Sequence, residues 1–328
     1  MFATPTLRAL GAGGAAGVIS ALAFVSATTG LPLVQLVLFL VAPLPIYLVG
    51  LAFGPAGSIG AGLAGGLFLT SISGGLTVPA VFVLSQAVPA GVLTSRALLH
   101  RDAPQNPDGR EWYPVGRLVV WAGTLAASIS AGMLLVVGQS AEALKSALRK
   151  SLADYVEATM PKSGGAALSD ADLDRLTDVT LALLPPVAAM MIMLCLLLNL
   201  WLAASLLHAS GQLQRPWPDI AAFTLPAGAP LALGALIIAA SVLEGVAGLV
   251  AAAAAGAIYL AFVLLGLAIL HYVSRGKAWR TPILWAAYLA LVIFNTGFSL
   301  LLAVIGLTEP IAPWRRGPPP AARPPPQT

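Results

Sequence analysis

Charged residues are scarce in this sequence. They make up only 9% of 328 residues, against about a quarter of an ordinary soluble domain, whereas 58% are hydrophobic and the mean hydropathy is +0.89. This balance excludes an ordinary soluble protein and indicates a membrane protein. The net charge is +4, but the basic residues are spread over loops and the tail without stacking aromatics, so we expect no nucleic-acid partner.

Cysteines and catalytic motifs are also missing. Cys195 is the single cysteine, which excludes an intrachain disulfide and a cysteine-rich metal site. The sequence has no Walker A motif, dinucleotide fingerprint, paired-histidine metal motif or nucleophile elbow. The three histidines lie far apart, at span ends or in loops, and we interpret them as interfacial or structural residues. We therefore expect no catalytic residue, no cofactor and no metal site.

Long apolar runs are what the sequence has instead. Runs of roughly 17 to 25 apolar residues can cross a bilayer as helices. They predict an all-α, polytopic integral membrane helix bundle of about eight or nine transmembrane helices. The candidate spans are 9–29, 32–53, 56–73, 76–98, 117–138, 186–207, 225–243, 246–272 and 282–307. The third is short and rich in glycine, and the seventh has Pro226, Gly228 and Pro230 near its start.

Two polar stretches divide the chain. Residues 1–138 form an N-terminal membrane part, 139–180 a polar insert, 181–308 a C-terminal membrane part and 309–328 a proline-rich tail. The tail cannot pack and is predicted to be disordered.

The insert has apolar residues at helical spacing beside a charged face. This pattern predicts two amphipathic helices between spans five and six. The second is expected to begin at Ser169, whose hydroxyl can cap the free N–H groups of a helix start, and to run to Pro185 and Pro186. The two helices either lie over one mouth of the bundle or form a solvated connector.

Small residues recur at every fourth position on the first and third spans. The rows contain Gly13, Gly17, Gly54, Ser58, Gly62 and Gly66. In water each helical glycine costs about 1 kcal/mol relative to alanine, whereas in lipid small residues allow two helices to approach closely. We interpret the rows as surfaces either for internal helix packing or for docking a partner protein.

Four polar residues within or beside the spans are candidate ligand or ion contacts: Glu244, Asn199, Asn295 and Gln86. Glu244 is a carboxylate between two closely spaced spans, and ionisable groups near membrane depth are costly and often functional. It is either a proton or cation site or an ordinary loop carboxylate. The three amides either contact a ligand or form interhelical hydrogen bonds.

The positions of the arginines indicate the orientation of the protein in the membrane. Arg96 and the loop His100–Arg117 together place four arginines beside span ends, whereas the preceding loops have none. The positive-inside rule therefore puts this loop in the cytoplasm, and with four spans before it the N-terminus is cytoplasmic too. The preference for arginine over lysine and the abundance of alanine are typical of a GC-rich bacterial genome. We expect a multi-pass protein of the bacterial cytoplasmic (inner) membrane.

The order of these elements resembles the YybS-like family of bacterial multi-pass membrane proteins. The resemblance covers nearly the whole chain and is carried by the segments PLPIYLVGLAFGPAG, LLNLWLAASLL, FTLP, GLAILHYVSRGKAWRTPILWAAYL and GLTEPIAPWRRG. Members of that family are uncharacterised, so the resemblance implies a membrane protein without an assigned activity.

Residues 8–99 are separately similar to the first part of S-components, the substrate-binding subunits of energy-coupling-factor transporters. Gly50, Phe53, Gly54 and Pro55 match the junction between the second and third helices of those proteins. The similarity implies a fold like that of vitamin- or metal-uptake proteins, and small residues on the first helix that dock a transmembrane coupling subunit.

Two functions therefore remain open. The first is a substrate-binding or permease-like subunit of a transporter that a separate ATPase energises. The alternative is a non-transport scaffold or assembly factor for envelope proteins.

Overall fold

The computed structural model describes residues 5–27, 31–106, 109–137, 140–159, 169–311 and 314–315. Across these residues the chain is an all-α bundle, as predicted. Its one sheet in the described part of the chain is a hairpin of two three-residue strands, β1 (His100–Asp102) and β2 (Arg110–Trp112). Most of the proline-rich tail, on which we predicted disorder, lies outside the described residues.

The described residues of the N-terminal part form seven helices. They are α1 (Pro5–Ser26), α2 (Pro32–Val41), α3 (Leu44–Phe53), α4 (Pro55–Ser73), α5 (Thr77–Phe82), α6 (Val88–Ala97) and α7 (Val115–Val137). A π-helical turn, Val83–Ala87, joins α5 to α6 in one continuous span.

The second predicted span is two helices, α2 and α3. Pro43 has no N–H to donate, which interrupts the helical hydrogen bonds at the junction. The carbonyl of Leu40 accepts a hydrogen bond from Asn199 Nδ2 at 2.7 Å. A side chain from a distant helix therefore satisfies the interrupted backbone inside the bundle.

The described residues of the insert and the C-terminal part form six helices. They are α8 (Ala141–Thr159), α9 (Asp170–Ala209), α10 (Ala229–Val242), α11 (Gly245–Val273), α12 (Arg280–Ile293) and α13 (Asn295–Thr308). A short 3₁₀ turn, Ile220–Ala222, lies between α9 and α10. Helix α11 is central, because it packs against α7, α9, α10 and α13.

The two amphipathic helices of the insert are α8 and the first half of α9. Ser169 caps α9, with Asp172 N donating to its Oγ at 3.2 Å. Ion pairs between Lys145 and Asp178, and from Arg149 to Asp174 at 2.6 Å, hold α8 against α9. The insert is therefore a helical hairpin.

The proline pair does not end α9. The helix continues through Pro185 and Pro186 for 40 residues in all, about 60 Å, or twice the hydrocarbon thickness of a bilayer. A methyl group on Gly256 of α11 would lie 2.6 Å from the Pro186 carbonyl oxygen. Only a glycine lets α11 pack this closely against the proline turn, and this packing stabilises a helix that local sequence alone would break.

Seven helices in the described chain are long and apolar enough to cross a membrane. They are Leu7–Ser26, Leu33–Phe53, Pro55–Ser73, Thr77–Ala97, Val115–Val136, Asp170–Ala209 and Gly245–Val273. The other apolar helices, α10, α12 and α13, have 14 residues each. Each is about 21 Å long, which is less than the roughly 30 Å of the hydrocarbon core. The apolar surfaces of the bundle contact the lipid bilayer.

The ninth predicted span, 282–307, is not one crossing helix. It reverses at Phe294, which leaves helical geometry (φ −109°, ψ 33°) before the poor helix formers Asn295, Thr296 and Gly297.

Helix α13 runs parallel to α11. Tyr259 Oη and Ser299 Oγ are 2.8 Å apart, and a methyl group on Gly306 would lie 3.2 Å from the Gly266 nitrogen. In both contacts the residue of α13 lies 40 positions after its partner in α11, so the two helices run in the same direction. Since α12 starts beside His271, where Arg280 Nη1 donates to the His271 carbonyl at 3.3 Å, α12 and α13 form a re-entrant hairpin with both ends at one face.

The seventh predicted span is also incomplete. A compact turn at Leu243 and Glu244 joins α10 to α11, so the 14 residues of α10 reach back only to about the level of Ile258. The residues Phe223–Gly228 that precede α10 are non-helical, and of these Phe223 is buried whereas Thr224 and Pro226–Gly228 are exposed.

Candidate functional site

The small-residue row of α1 faces α4. Methyl groups on Gly13 and Gly17 would collide with the carbonyl oxygens of Gly57 and Ala61, and one on Gly65 would lie 2.7 Å from the Gly17 oxygen. The backbones of α1 and α4 are thus in direct contact. A partner protein would reach Gly13 or Gly17 only by displacing α4.

The row predicted on the third span faces a different neighbour. Methyl groups on Gly62 and Gly66 would lie 3.2 Å from Ala87 Cβ and 3.3 Å from Val83 Cγ2. Ser58 Oγ lies 3.3 Å from Thr94 Oγ1 of α6. The row therefore contacts the span formed by α5 and α6.

Gly54 differs from the rest of its row. It has a φ of +71° at the junction of α3 and α4, and open space surrounds its Cβ position. Its role is to turn the chain between the two helices.

The three polar candidates whose side chains are described, Asn199, Gln86 and Glu244, do not converge on one site. Asn199 is fully buried and donates to Leu40 and Cys195 carbonyls, and its Oδ1 has no partner among the described atoms. Gln86 is buried in the π-helical turn, where its Nε2 donates to Ser85 Oγ at 3.3 Å. Asn295 begins α13, and its side chain lies outside the described residues.

Glu244 is exposed at the turn before α11 and makes no capping hydrogen bond. It is separated from His271 by almost the whole length of α11, about 40 Å. The structure does not bring it to the cavity described next.

A half-enclosed cavity of about 610 Å³ lies at the end of α11 that carries His271. Helices α3, α6, α7, α9, α11 and α12 and the non-helical segment 213–223 all contribute to its walls. Most of the lining is apolar, including Trp201, Trp217, Phe223 and Leu264. The cavity thus lies beside the backbone that precedes α10 and beside the re-entrant hairpin.

Four polar side chains line this cavity: Arg215, His271, Arg280 and Tyr288. His271 Nε2 and Tyr288 Oη are hydrogen bonded at 2.8 Å. Arg215 Nη1 donates to the Ala97 carbonyl at 3.2 Å. Burial lowers the pKa of the Arg215 guanidinium from its usual range. The lining contains no carboxylate.

Two ion pairs hold the 213–223 wall in place. Arg275 Nη1 donates to Asp219 Oδ2 at 2.8 Å, and this contact lowers the pKa of Asp219. Arg315 pairs with Glu309 at 2.8 Å, and its Nη1 donates to the carbonyls of Ala221 at 3.1 Å and Phe223 at 2.8 Å. Arg315, which follows α13, therefore holds the wall of the cavity in place.

Comparison with known proteins identifies a family. Residues 18–309 match a family described as predicted membrane protein (DUF2232). The chain belongs to this DUF2232 family. No curated protein and no solved structure matches it.

The polar residues that line the cavity of this DUF2232 protein were not predicted from the sequence. Arg215 and Arg280 were not among the candidates, and His271 was predicted to be an interfacial or structural residue. Arg215 precedes the turn-forming sequence Pro216–Pro218, and Arg280 begins a helix. The only indication of these residues in the sequence was an arginine beside each of the two interrupted spans.

The cavity of the DUF2232 protein is suited to binding. Ligand sites typically have volumes of about 300 to 1,000 Å³, apolar walls and a few polar groups that orient the ligand. The lining has two guanidiniums and no acid–base pair of carboxylates. It can hold an organic molecule and orient one polar end.

Proposed function

We propose that the protein is a substrate-binding or permease-like membrane subunit that takes its substrate into the cavity beside His271. The observation that carries this proposal is the cavity itself, with about 610 Å³ and apolar walls. Interrupted helices and non-helical backbone surround it, which is a common construction for substrate sites in membrane transporters. The proposed role is binding and transport, not catalysis.

The resemblances in the sequence support the same role. S-components, to which residues 8–99 are similar, work with a transmembrane coupling subunit and an ATPase. This chain has no nucleotide-binding motif of its own. We infer that a separate ATPase energises it, and that the YybS-like resemblance describes related proteins of bacterial inner membranes.

Charge distribution supports a cavity that opens toward the cytoplasm. The re-entrant hairpin returns the chain to the cavity face, where Arg315 joins the arginines of the preceding loops. Basic residues on this face are Arg8, Arg96, Arg101, Arg110, Arg117, Arg215, Arg275, Lys277, Arg280 and Arg315, and those of the opposite hairpin are Lys145, Arg149, Lys150 and Arg175. Under the positive-inside rule the cavity face and the N-terminus are cytoplasmic.

A cavity-filling variant tests the proposal. Ala204 lines the cavity and is only half-buried, so Ala204→Trp should fill space without disrupting the core. Native mass spectrometry of the purified wild-type protein should detect a bound small molecule that the variant lacks at an unchanged melting temperature. A wild-type protein free of any small molecule, or equal occupancy in both proteins, would contradict the proposal.

The helical hairpin favours the scaffold as the second candidate. Helix α9 is about twice as long as the hydrocarbon core is thick, so its first half and α8 extend beyond the bilayer. Co-purification in mild detergent separates the two functions. A coupling subunit and an ATPase support transport, whereas envelope-assembly proteins that bind the hairpin support the scaffold.

A further inference from the structure

The two cavity arginines differ from four others on the protein in having no ion-pair partner among the described residues. Arg101, Arg149, Arg275 and Arg315 each pair with a carboxylate. Within the described residues, neither of the two cavity arginines forms an ion pair. An unpaired charge beside apolar walls is costly. Both arginines line the same cavity, so an anionic group bound there would offset positive charge at this site.

The two guanidiniums are fixed in place and retain free donors. Arg215 uses one N–H of Nη1 on the Ala97 carbonyl, and Arg280 uses one on the His271 carbonyl. A guanidinium has five N–H donors in a rigid fork that suits the oxygens of a phosphate or carboxylate. The remaining donors of both residues are available to such a group.

Tyr288 adds a hydroxyl to the same cavity. Its Oη is 2.8 Å from His271 Nε2. Tyr288 lies on α12, eight residues after Arg280, so one helix of the re-entrant hairpin supplies two of the polar groups. The polar groups thus come from α11, α12 and the loop after α9.

The remaining lining requires an apolar partner. Trp201 and Trp217 are 48% and 39% exposed although both line the cavity, so their rings have surface left for a ligand. The ring of Trp217 packs against His208 with centroids 5.1 Å apart, which holds it in position. A free inorganic anion would leave this apolar surface in contact with water.

We propose that the cavity binds an anionic amphiphile, with its phosphate or carboxylate at Arg215 and Arg280 and its apolar chain along Trp201 and Trp217. This inference rests on the proposed substrate-binding function and names the class of substrate. A neutral ligand leaves both guanidiniums uncompensated, and a cationic ligand is repelled by them. The same chemistry is found in an anionic phospholipid and in a free amphiphilic phosphate.

Matched probes test the class of ligand. The wild-type protein is placed in nanodiscs of zwitterionic phosphatidylcholine and titrated with dodecyl phosphate, dodecanol, dodecyltrimethylammonium and inorganic phosphate. Binding to the Ala204→Trp protein measures non-specific partition and is subtracted. Dodecyl phosphate should bind at least about tenfold more tightly than the other three probes, because charge-assisted hydrogen bonds orient its head group.

Charge-removing variants test the residues. Arg215→Gln and Arg280→Gln should each raise the Kd for dodecyl phosphate about tenfold or more, and Arg280→Lys less. Arg101→Gln removes an equal charge from an exposed position at the same face and should leave the Kd unchanged. Melting temperatures identify any variant that fails to fold. In that case the comparison of the four probes on the wild-type protein still tests the class of ligand.

The outcomes separate the two proposals. Equal binding of dodecanol and dodecyl phosphate, with no effect of the arginine variants, overturns the anionic class and leaves the cavity as a binding site. No cavity-dependent binding of any probe overturns both proposals. Competition by phosphatidylglycerol in the nanodisc supports a membrane lipid as the source, and absence of competition supports a free amphiphile.

Discussion

The contact between α1 and α4 gives the sharpest test of the packing argument. In Gly17→Ala, the new methyl group would collide with the Ala61 carbonyl oxygen and lie 2.7 Å from the Ala61 carbonyl carbon. Both obstacles are backbone atoms that no rotamer change can move, so the two helices must separate. Overpacking of this kind costs about 1–3 kcal/mol.

Gly11→Ala is the matched control, because Gly11 lies on the same helix with nothing within 4 Å of its Cβ position. Both substitutions gain the same helix propensity, up to about 1 kcal/mol, so their difference isolates the packing cost. Thermal unfolding in detergent should rank Gly11→Ala at or above the wild type and Gly17→Ala clearly below it. Equal melting temperatures for the two variants would refute close backbone contact between α1 and α4.

Three further predictions follow from the fold. Glu309→Ala leaves Arg315, whose side chain is 8% exposed, without its partner and should lower the free energy of unfolding by about 3 kcal/mol in a denaturant titration; a loss below about 0.5 kcal/mol would show a merely superficial pair. Asn199→Ala leaves the Leu40 carbonyl with only the weak 3.6 Å contact from Cys195 Sγ and should cost about 1–3 kcal/mol by the same assay. Cysteines at Ile311 and Ser146, introduced after the native cysteine is replaced, should label from opposite sides of the membrane, and labelling from one side would contradict the re-entrant hairpin.

The number of crossing helices was only partly predictable. Hydropathy counts α12 and α13 as one run, because the break at Phe294 adds few polar residues and no proline. Whether such a run crosses or reverses depends on what its halves pack against. Here α13 packs on α11 through Gly266 and Gly306, two glycines separated by 40 positions in sequence.

Proline was a reliable signal only where no tertiary contact opposed it. Pro226 and Pro230 mark the non-helical entry before α10, as their positions suggested. Pro185 and Pro186 do not end α9, because α11 packs against that turn at Gly256. The sequence around a proline predicts that it breaks helical hydrogen bonds. It does not reveal the packing that offsets this cost, because the packing residues lie elsewhere in the chain.

The cavity could not be predicted because its polar residues come from distant segments. The positive-inside rule explains an arginine at any cytoplasmic span end, so Arg215 and Arg280 carried no separate signal. Both residues line one cavity because of two turns, one after α9 and one before α12. Ion pairs such as Arg275 with Asp219 hold those turns together, and sequence alone does not reveal such pairing.

The interrupted helices and the cavity are one structural feature. Non-helical backbone in a bilayer is costly unless protein buries it or water reaches it. In the segment before α10, Phe223 is buried and lines the cavity, whereas Thr224 and Pro226–Gly228 are exposed. Helix α12 ends within the membrane and still supplies Arg280 and Tyr288 to the same space. Tight glycine contacts join α1 to α4 and also α11 to α13. A ligand bound as proposed would contact α12, which lines the cavity, and would not reach the backbone contacts of α1 and α4, because neither of these helices lines it.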